Sequence, residues 1–157
     1  MARLYGRAKR GRRCLAPVPH GHWKTTTFVA GLRADGLIAP MVLDGPMNGE
    51  SFLAYVEQVL SREIKTGDLV VLDNLPAHRV AGAKQLIEAK GAIFVPLPPY
   101  SPDLNPIENA FAKLKALLRK AAARSVAELW EVIGQLIETF TPKECVNYFV
   151  AAGYGSV

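Results

Sequence analysis

The hydrophobic pattern is most informative between residues 68 and 120. Leu69-Val70-Val71-Leu72 is an apolar run that stops at Asp73-Asn74, and Ile93-Phe94-Val95 is a second such run. Short apolar runs bounded by turn formers predict strands buried on both faces. Between them, a stretch from about Pro76 with Val80, Leu86 and Ile87 apolar predicts a helix closed by Gly91. Strand, helix and strand joined this closely form a βαβ unit, so the two strands should run parallel.

Upstream, Thr25 to Leu32 is rich in β-branched residues and predicts a strand. Ala34-Asp35-Gly36 is the expected hairpin turn, Leu37 to Leu43 the return strand, and Gly45-Pro46 its end. Asn48 should cap a helix that carries Phe52, Leu53, Val56, Val59 and Leu60 on one face and ends by Thr66-Gly67. Downstream, Asn105, Ser125 and Thr141 each precede a Glu by three positions, which predicts three helices opened by capping boxes. Ile107, Ala110, Phe111, Leu114, Leu117 and Leu118 form one apolar stripe, and Val126, Leu129, Trp130, Ile133, Leu136, Ile137 and Phe140 another; Gly153 should stop the last helix. The expected architecture is a mixed α/β sheet flanked by helices. Residues 1–24 read as a basic arm and loop, and 25–157 as one domain.

Charge adds a partner. The formal net charge is +5, and residues 1 to 34 hold eight Lys or Arg but no Asp or Glu. Arg7, Lys9, Arg10, Arg12, Arg13 and Lys24 belong to this set, and Lys113, Lys115, Arg119 and Lys120 form a second on the helix after Glu108. One-sign regions suit a polyanion, because phosphate contacts release counterions; a solvated face is the plainer alternative. No apolar run reaches the ~18 residues of a membrane span, and the basic N-terminus lacks the apolar stretch of a signal peptide. Cys14 and Cys145 match no disulfide or metal spacing. The expectation is a soluble, intracellular chain without a membrane partner.

Two carboxylates carry the candidate chemistry. Asp73 ends a strand, and Glu108 opens the helix after the next one, with 34 residues between them. In open α/β sheets, chemistry gathers beyond the carboxyl ends of strands. Acidic side chains held there by rigid elements can bring Mg²⁺ to a scissile phosphate. A capping role for Glu108 and turn formation at Asp73-Asn74 explain the same residues without chemistry. His78 either orients a group near Asp73 or caps its helix, and Asp103 belongs to turn chemistry. His20 and His22 form an H-x-H loop with no third ligand at metal spacing, so ordinary loop contacts are expected.

These residues also carry a resemblance. Val71-Leu-Asp-Asn-Leu-Pro-Ala-His78, followed by Leu97-Pro-Pro-Tyr-Ser-Pro-Asp-Leu-Asn-Pro-Ile-Glu108, closely resembles the mariner-type insertion-sequence transposases of the DDE superfamily. The likeness covers nearly the whole chain, including Gly21-His-Trp-Lys-Thr-Thr-Thr27 and the helix from Phe52. It implies a ribonuclease H-like fold and metal-dependent DNA cleavage and strand transfer, commonly at TA. Two Mg²⁺ or Mn²⁺ ions in a complete site, element-end and target DNA as partners, and a homodimer are implied with it. Asp73 would be the second acid of the family's triad and Glu108 the third, both as metal ligands, with Asn74 and His78 as secondary candidates. A bacterial, cytoplasmic and nucleoid-associated setting is implied too.

The chain departs from the family pattern at the first acid, which should lie on a strand upstream of the part matching Arg3 to Arg7. No acidic residue precedes Asp35, and Asp44 matches no catalytic position. The expectation is therefore an N-terminally truncated catalytic domain with unpaired sheet edges, poorly active or inactive alone, unless an upstream polypeptide supplies the first strand and first Asp. A noncatalytic DNA-binding remnant is the alternative. A cellular nuclease acting on RNA or hybrids is a third reading, which the Pro-Pro-Tyr-Ser-Pro motif speaks against.

Overall fold

The computed structural model describes residues 5–15 and 25–155. Its elements are β1 (Thr26–Arg33), β2 (Gly36–Asp44), α1 (Gly49–Tyr55), α2 (Ser61–Glu63), β3 (Leu69–Leu72), α3 (Ala81–Ala89), β4 (Ile93–Pro96), α4 (Ile107–Ala121), α5 (Val126–Ile137) and α6 (Pro142–Ala151). A π-helical turn, Val56–Leu60, joins α1 to α2. The arm described at residues 5–15 is exposed throughout.

β1 and β2 pair antiparallel, and β3 and β4 pair parallel. The two pairs are not hydrogen-bonded to each other, so the described residues hold two separate two-stranded sheets. The hairpin turns tightly, with Arg33 opposite Gly36. Neither Ala34 nor Asp35 has a positive φ, so Gly36 starts the return strand rather than serving as the left-handed residue of an Asp-Gly turn. Between the pairs Val29–Met41 and Gly31–Ile38 the register shifts, and Ala39 takes φ +49°. Pro40 follows; lacking an N–H it cannot join the ladder, and a bulge absorbs it. The bulge directs Ala39 into the core, where its carbonyl accepts a 2.9 Å hydrogen bond from the Tyr55 hydroxyl. Burial pushes the Tyr55 pKa upward.

Two cores lie on the two faces of the hairpin. One gathers Ala39, Phe52, Tyr55, Val56, Leu60, Ala83 and Ile87, with Val29 and Met41 packed against it. The other gathers Ala110, Leu114, Leu118, Ile133, Phe140 and Cys145, with Phe28 and Val42 against it. Phe28 and Val29 are adjacent yet serve opposite cores, as strand alternation requires.

The parallel pair differs from expectation. Val70, Leu72 and Phe94 pack on the first core, but Leu69 and Ile93 are 64% and 56% exposed. A β-strand offers alternate residues to opposite faces, and only one face of this pair is covered by a core. The segment after Asn74 also differs: Pro76–Arg79 is a 3₁₀ turn, and the α-helix begins only at Ala81. Of the three expected capping boxes, only Thr141 with Glu144 is complete. Ser125 caps the Glu128 N–H. Asn105 does not cap, because Pro106 occupies the N-cap position. Asn48 caps α1 through Ser51 N–H, and α6 ends just before Gly153, at φ +88°.

Arg33 ties the two sheets together. It makes a paired contact with the Asp68 carboxylate, and its Nη2 donates to the Glu63 carbonyl at 2.9 Å. This guanidinium holds the Asp68 carboxyl below the usual carboxylate range. A depressed carboxyl stabilises the fold above its unfolded pKa, roughly 4, and that stability is lost as pH falls through the folded value. Arg33→Met should therefore cost about 1 kcal/mol at neutral pH by urea denaturation, and the difference from the unaltered chain should shrink below about pH 4.

Candidate active-site crevice

The βαβ register determines where the candidate acids emerge. Leu72 pairs with Pro96, and the Leu97 N–H donates to the Leu72 carbonyl at 2.8 Å, so both strands end at one level. Asp73 follows the first strand directly. The loop from Leu97 follows the second and leads, through a 3₁₀ turn at Pro102–Leu104, to the first turn of α4, where Glu108 sits. Asp73 and Glu108 line the same open crevice of about 440 Å³, together with Asn74, Arg79 and Tyr100.

Asp73 is held on one side. Its Oδ1 lies 2.5 Å from His78 Nδ1, and the Leu75 N–H reaches the same oxygen at 3.4 Å. The His78 ring packs at a tilt against Phe52 with centroids 4.4 Å apart, which roots it in the first core. Its buried Nδ1 has no hydrogen bond of good alignment, so the contact with Asp73 is close without being a well-directed hydrogen bond. Among the described residues, no hydrogen bond or ion pair engages Asp73 Oδ2 or the Glu108 carboxylate. Glu108 is exposed and stands in the first turn of a helix, where the macrodipole favours negative charge. Asn74 is engaged within the crevice wall: its Oδ1 accepts from Arg79 Nε at 2.7 Å. Arg79 is a crevice residue that sequence reasoning passed over.

The donor set suits a hard divalent cation in kind, since both acids offer carboxylate oxygens to the crevice and Mg²⁺ keeps several waters. In number it is short: among the described residues no cluster of three His, Cys, Asp or Glu side chains is placed to hold a metal ion. Asp73 and Glu108 would hold such an ion together.

The basic candidates divide. Arg7, Lys9, Arg10, Arg12 and Arg13 are exposed on the arm, and Lys24, like His20 and His22, lies outside the described residues. Lys115 and Lys120 are exposed on α4, and Arg119 is half-buried. Lys113 is engaged: its Nζ donates to both Glu144 oxygens at 2.8 and 2.9 Å and lies 4.4 Å from the Phe140 ring centroid. The ammonium holds the Glu144 carboxyl below its ordinary range. Among the described residues, no helix is long and apolar enough to cross a membrane.

Residues 1–130 match the family model described as DDE superfamily endonuclease, and the chain belongs to that family. Solved structures of the Mos1 mariner transposase share the fold. The Mos1 strand transfer complex superposes with TM-score 0.70 at 17% identity, covering 94% of this chain and 45% of that one. The Mos1 catalytic domain alone gives TM-score 0.63 at 15% identity, covering 82% and 73%. A Mos1 catalytic domain with Raltegravir and Mg gives 0.65 at 15%, covering 82% and 74%. A comparison with curated proteins produced no match. The fold is therefore ribonuclease H-like, a mixed α/β arrangement of antiparallel hairpin and parallel pair flanked by helices. This chain spans under half the length of the transposase in the Mos1 complexes.

Because Lys113 is tied to Glu144 and Phe140, its loss should be felt by the fold. Lys113→Met is expected to lower the melting temperature by a few degrees, while Lys115→Met, with the same charge loss, leaves it unchanged; differential scanning fluorimetry decides.

Proposed function

We propose that this chain is the metal-dependent catalytic portion of a DNA transposase, with Asp73 and Glu108 as two of its metal ligands. The observation that supports this best is the convergence of the two carboxylates on one crevice, in a member of the DDE endonuclease family. A bound divalent cation supplies the positive charge that stabilises a phosphodiester undergoing substitution. The chain's own residues do the rest. His78, packed against Phe52, lies close to one oxygen of Asp73, and among the described residues no hydrogen bond or ion pair engages the other. Glu108 faces the crevice with its carboxylate uncommitted.

The reaction is DNA cleavage and strand transfer. A water oxygen bonds to phosphorus as the bond to the 3′ oxygen breaks, and the freed 3′-hydroxyl then bonds to a target phosphorus as that phosphorus loses its own 3′ oxygen, which leaves as a new target 3′-hydroxyl. Two ions would serve a complete site. Asn74 acts through Arg79, as a positioning residue. The exposed arm cations and Lys115, Arg119 and Lys120 would hold DNA phosphates, as would Lys24; Lys113 contributes less, because Glu144 already neutralises it.

Completion of the site requires a further acid, and the two unjoined two-stranded sheets leave unpaired strand edges that an added strand could pair. We assign both to an upstream polypeptide segment carrying the family's first Asp, working in a homodimer in the bacterial cytoplasm beside the nucleoid. Without that segment the chain would bind DNA and cut it poorly. The alternative, a DNA-binding remnant without chemistry, rests on the same exposed basic arm.

The test joins the chain to an upstream segment bearing a strand and its terminal Asp. The joined protein should nick element-end DNA in Mg²⁺ or Mn²⁺, and Asp73→Asn or Glu108→Gln should each lower the rate at least ~100-fold, as loss of direct transition-state charge stabilisation does, without weakening DNA binding. Full cutting by either variant would sink the metal-ligand assignment. Binding without cutting by the joined protein would favour the remnant.

A further inference from the structure

Tyr100 is the most conspicuous side chain of the crevice that the carboxylate chemistry leaves unused. It lies in the loop from Leu97 to Pro106, its side chain is fully exposed at 102%, and its φ is +56°. A bulky residue rarely adopts that backbone region, and a ring left wholly in water forgoes the burial that usually rewards an aromatic. Both costs fall on one residue of a loop whose neighbours are restrained. Pro98, Pro99 and Pro102 lock φ on either side. The Asn105 N–H donates to the Pro102 carbonyl at 3.0 Å, and the Tyr154 hydroxyl donates to the Leu104 carbonyl at 2.8 Å. Among the described residues the ring has no aromatic partner. The loop thus presents an unoccupied π-face at the crevice that Asp73, Arg79 and Glu108 line.

This inference rests on the crevice being a phosphodiester site. On that reading, we propose that Tyr100 is a stacking platform for an unpaired nucleobase adjoining the phosphate that a divalent cation on Asp73 and Glu108 would receive. An aromatic ring stacks on any base, because every base has a π-face, and it contributes affinity without reading sequence. A rigid loop suits this role, since a ring already set in place loses little freedom on binding. Tyr100 then positions the nucleotide next to the bond that breaks, and base-paired DNA further along the arm would not touch it. A protein partner covering the ring would not need it inside the same crevice as the two acids.

The experiment uses a duplex with a short single-stranded 3′ tail containing 2-aminopurine, a fluorescein on the opposite end, and CaCl₂ as the divalent ion. Tyr100→Asn tolerates the left-handed backbone and removes the ring; Tyr100→Trp keeps a ring. The unaltered chain and Tyr100→Trp should quench the 2-aminopurine on binding. Tyr100→Asn should lose the quenching and bind the tailed duplex about tenfold more weakly, with its affinity for a blunt duplex unchanged. Unchanged quenching by Tyr100→Asn overturns this inference alone, as does an equal loss on tailed and blunt DNA. If the unaltered chain binds neither duplex, the proposed function fails and the inference with it.

Discussion

The level ending of two parallel strands is the constraint on which the site depends. β3 and β4 pair from Leu69–Ile93 to Leu72–Pro96, and the Leu97–Leu72 hydrogen bond extends the ladder by one step. A slip of one residue would turn Val70, Leu72 and Phe94 away from the first core, because side chains alternate across a strand. The register is thus maintained by apolar burial, and the position of Asp73 follows from it. Glu108 depends on the same register at one remove, through a loop stiffened by Pro98, Pro99 and Pro102. His78 closes the link between core and chemistry by packing against Phe52, which is buried to 1% exposure.

The two faces of the molecule are unequal in a way that bears on stability. The hairpin is covered on both sides, by α1 and α3 on one and by α4, α5 and α6 on the other. The parallel pair is covered on one, and Leu69 and Ile93 stand in solvent. The Arg33–Asp68 contact is consequently more than a surface ion pair, because it joins two sheets that share no backbone hydrogen bond.

Much of the fold could be read from the chain because its signals are local. Apolar runs of four at Leu69–Leu72, helical stripes at Phe52 and Ala110, and caps at Asn48, Ser125 and Thr141 each act within a few residues of themselves. The convergence of Asp73 and Glu108 was legible through the βαβ rule. What escaped depends on distant partners. Exposure of Leu69 and Ile93 is decided by which layers cover them, not by their own hydropathy. The pairs Arg33–Asp68 and Lys113–Glu144 span 35 and 31 residues, so the engagement of Lys113 within the fold could not be read from its place in a basic stretch. Asn105 lost its capping role to Pro106, and the 3₁₀ turn at Pro76 displaced the start of α3. Pro40 beside Ala39, and Tyr100 among prolines, were local signals for backbone irregularity, and only their bulge and loop contexts give them meaning.

The most direct test of the account is Mn²⁺ binding to this chain, followed by the electron paramagnetic resonance of the free ion. The account predicts one site shared by both carboxylates, so that Asp73→Asn and Glu108→Gln each abolish it and the double variant adds nothing further. Binding that survives either single substitution at full strength would mean that the two acids do not hold one ion, and would contradict the central claim.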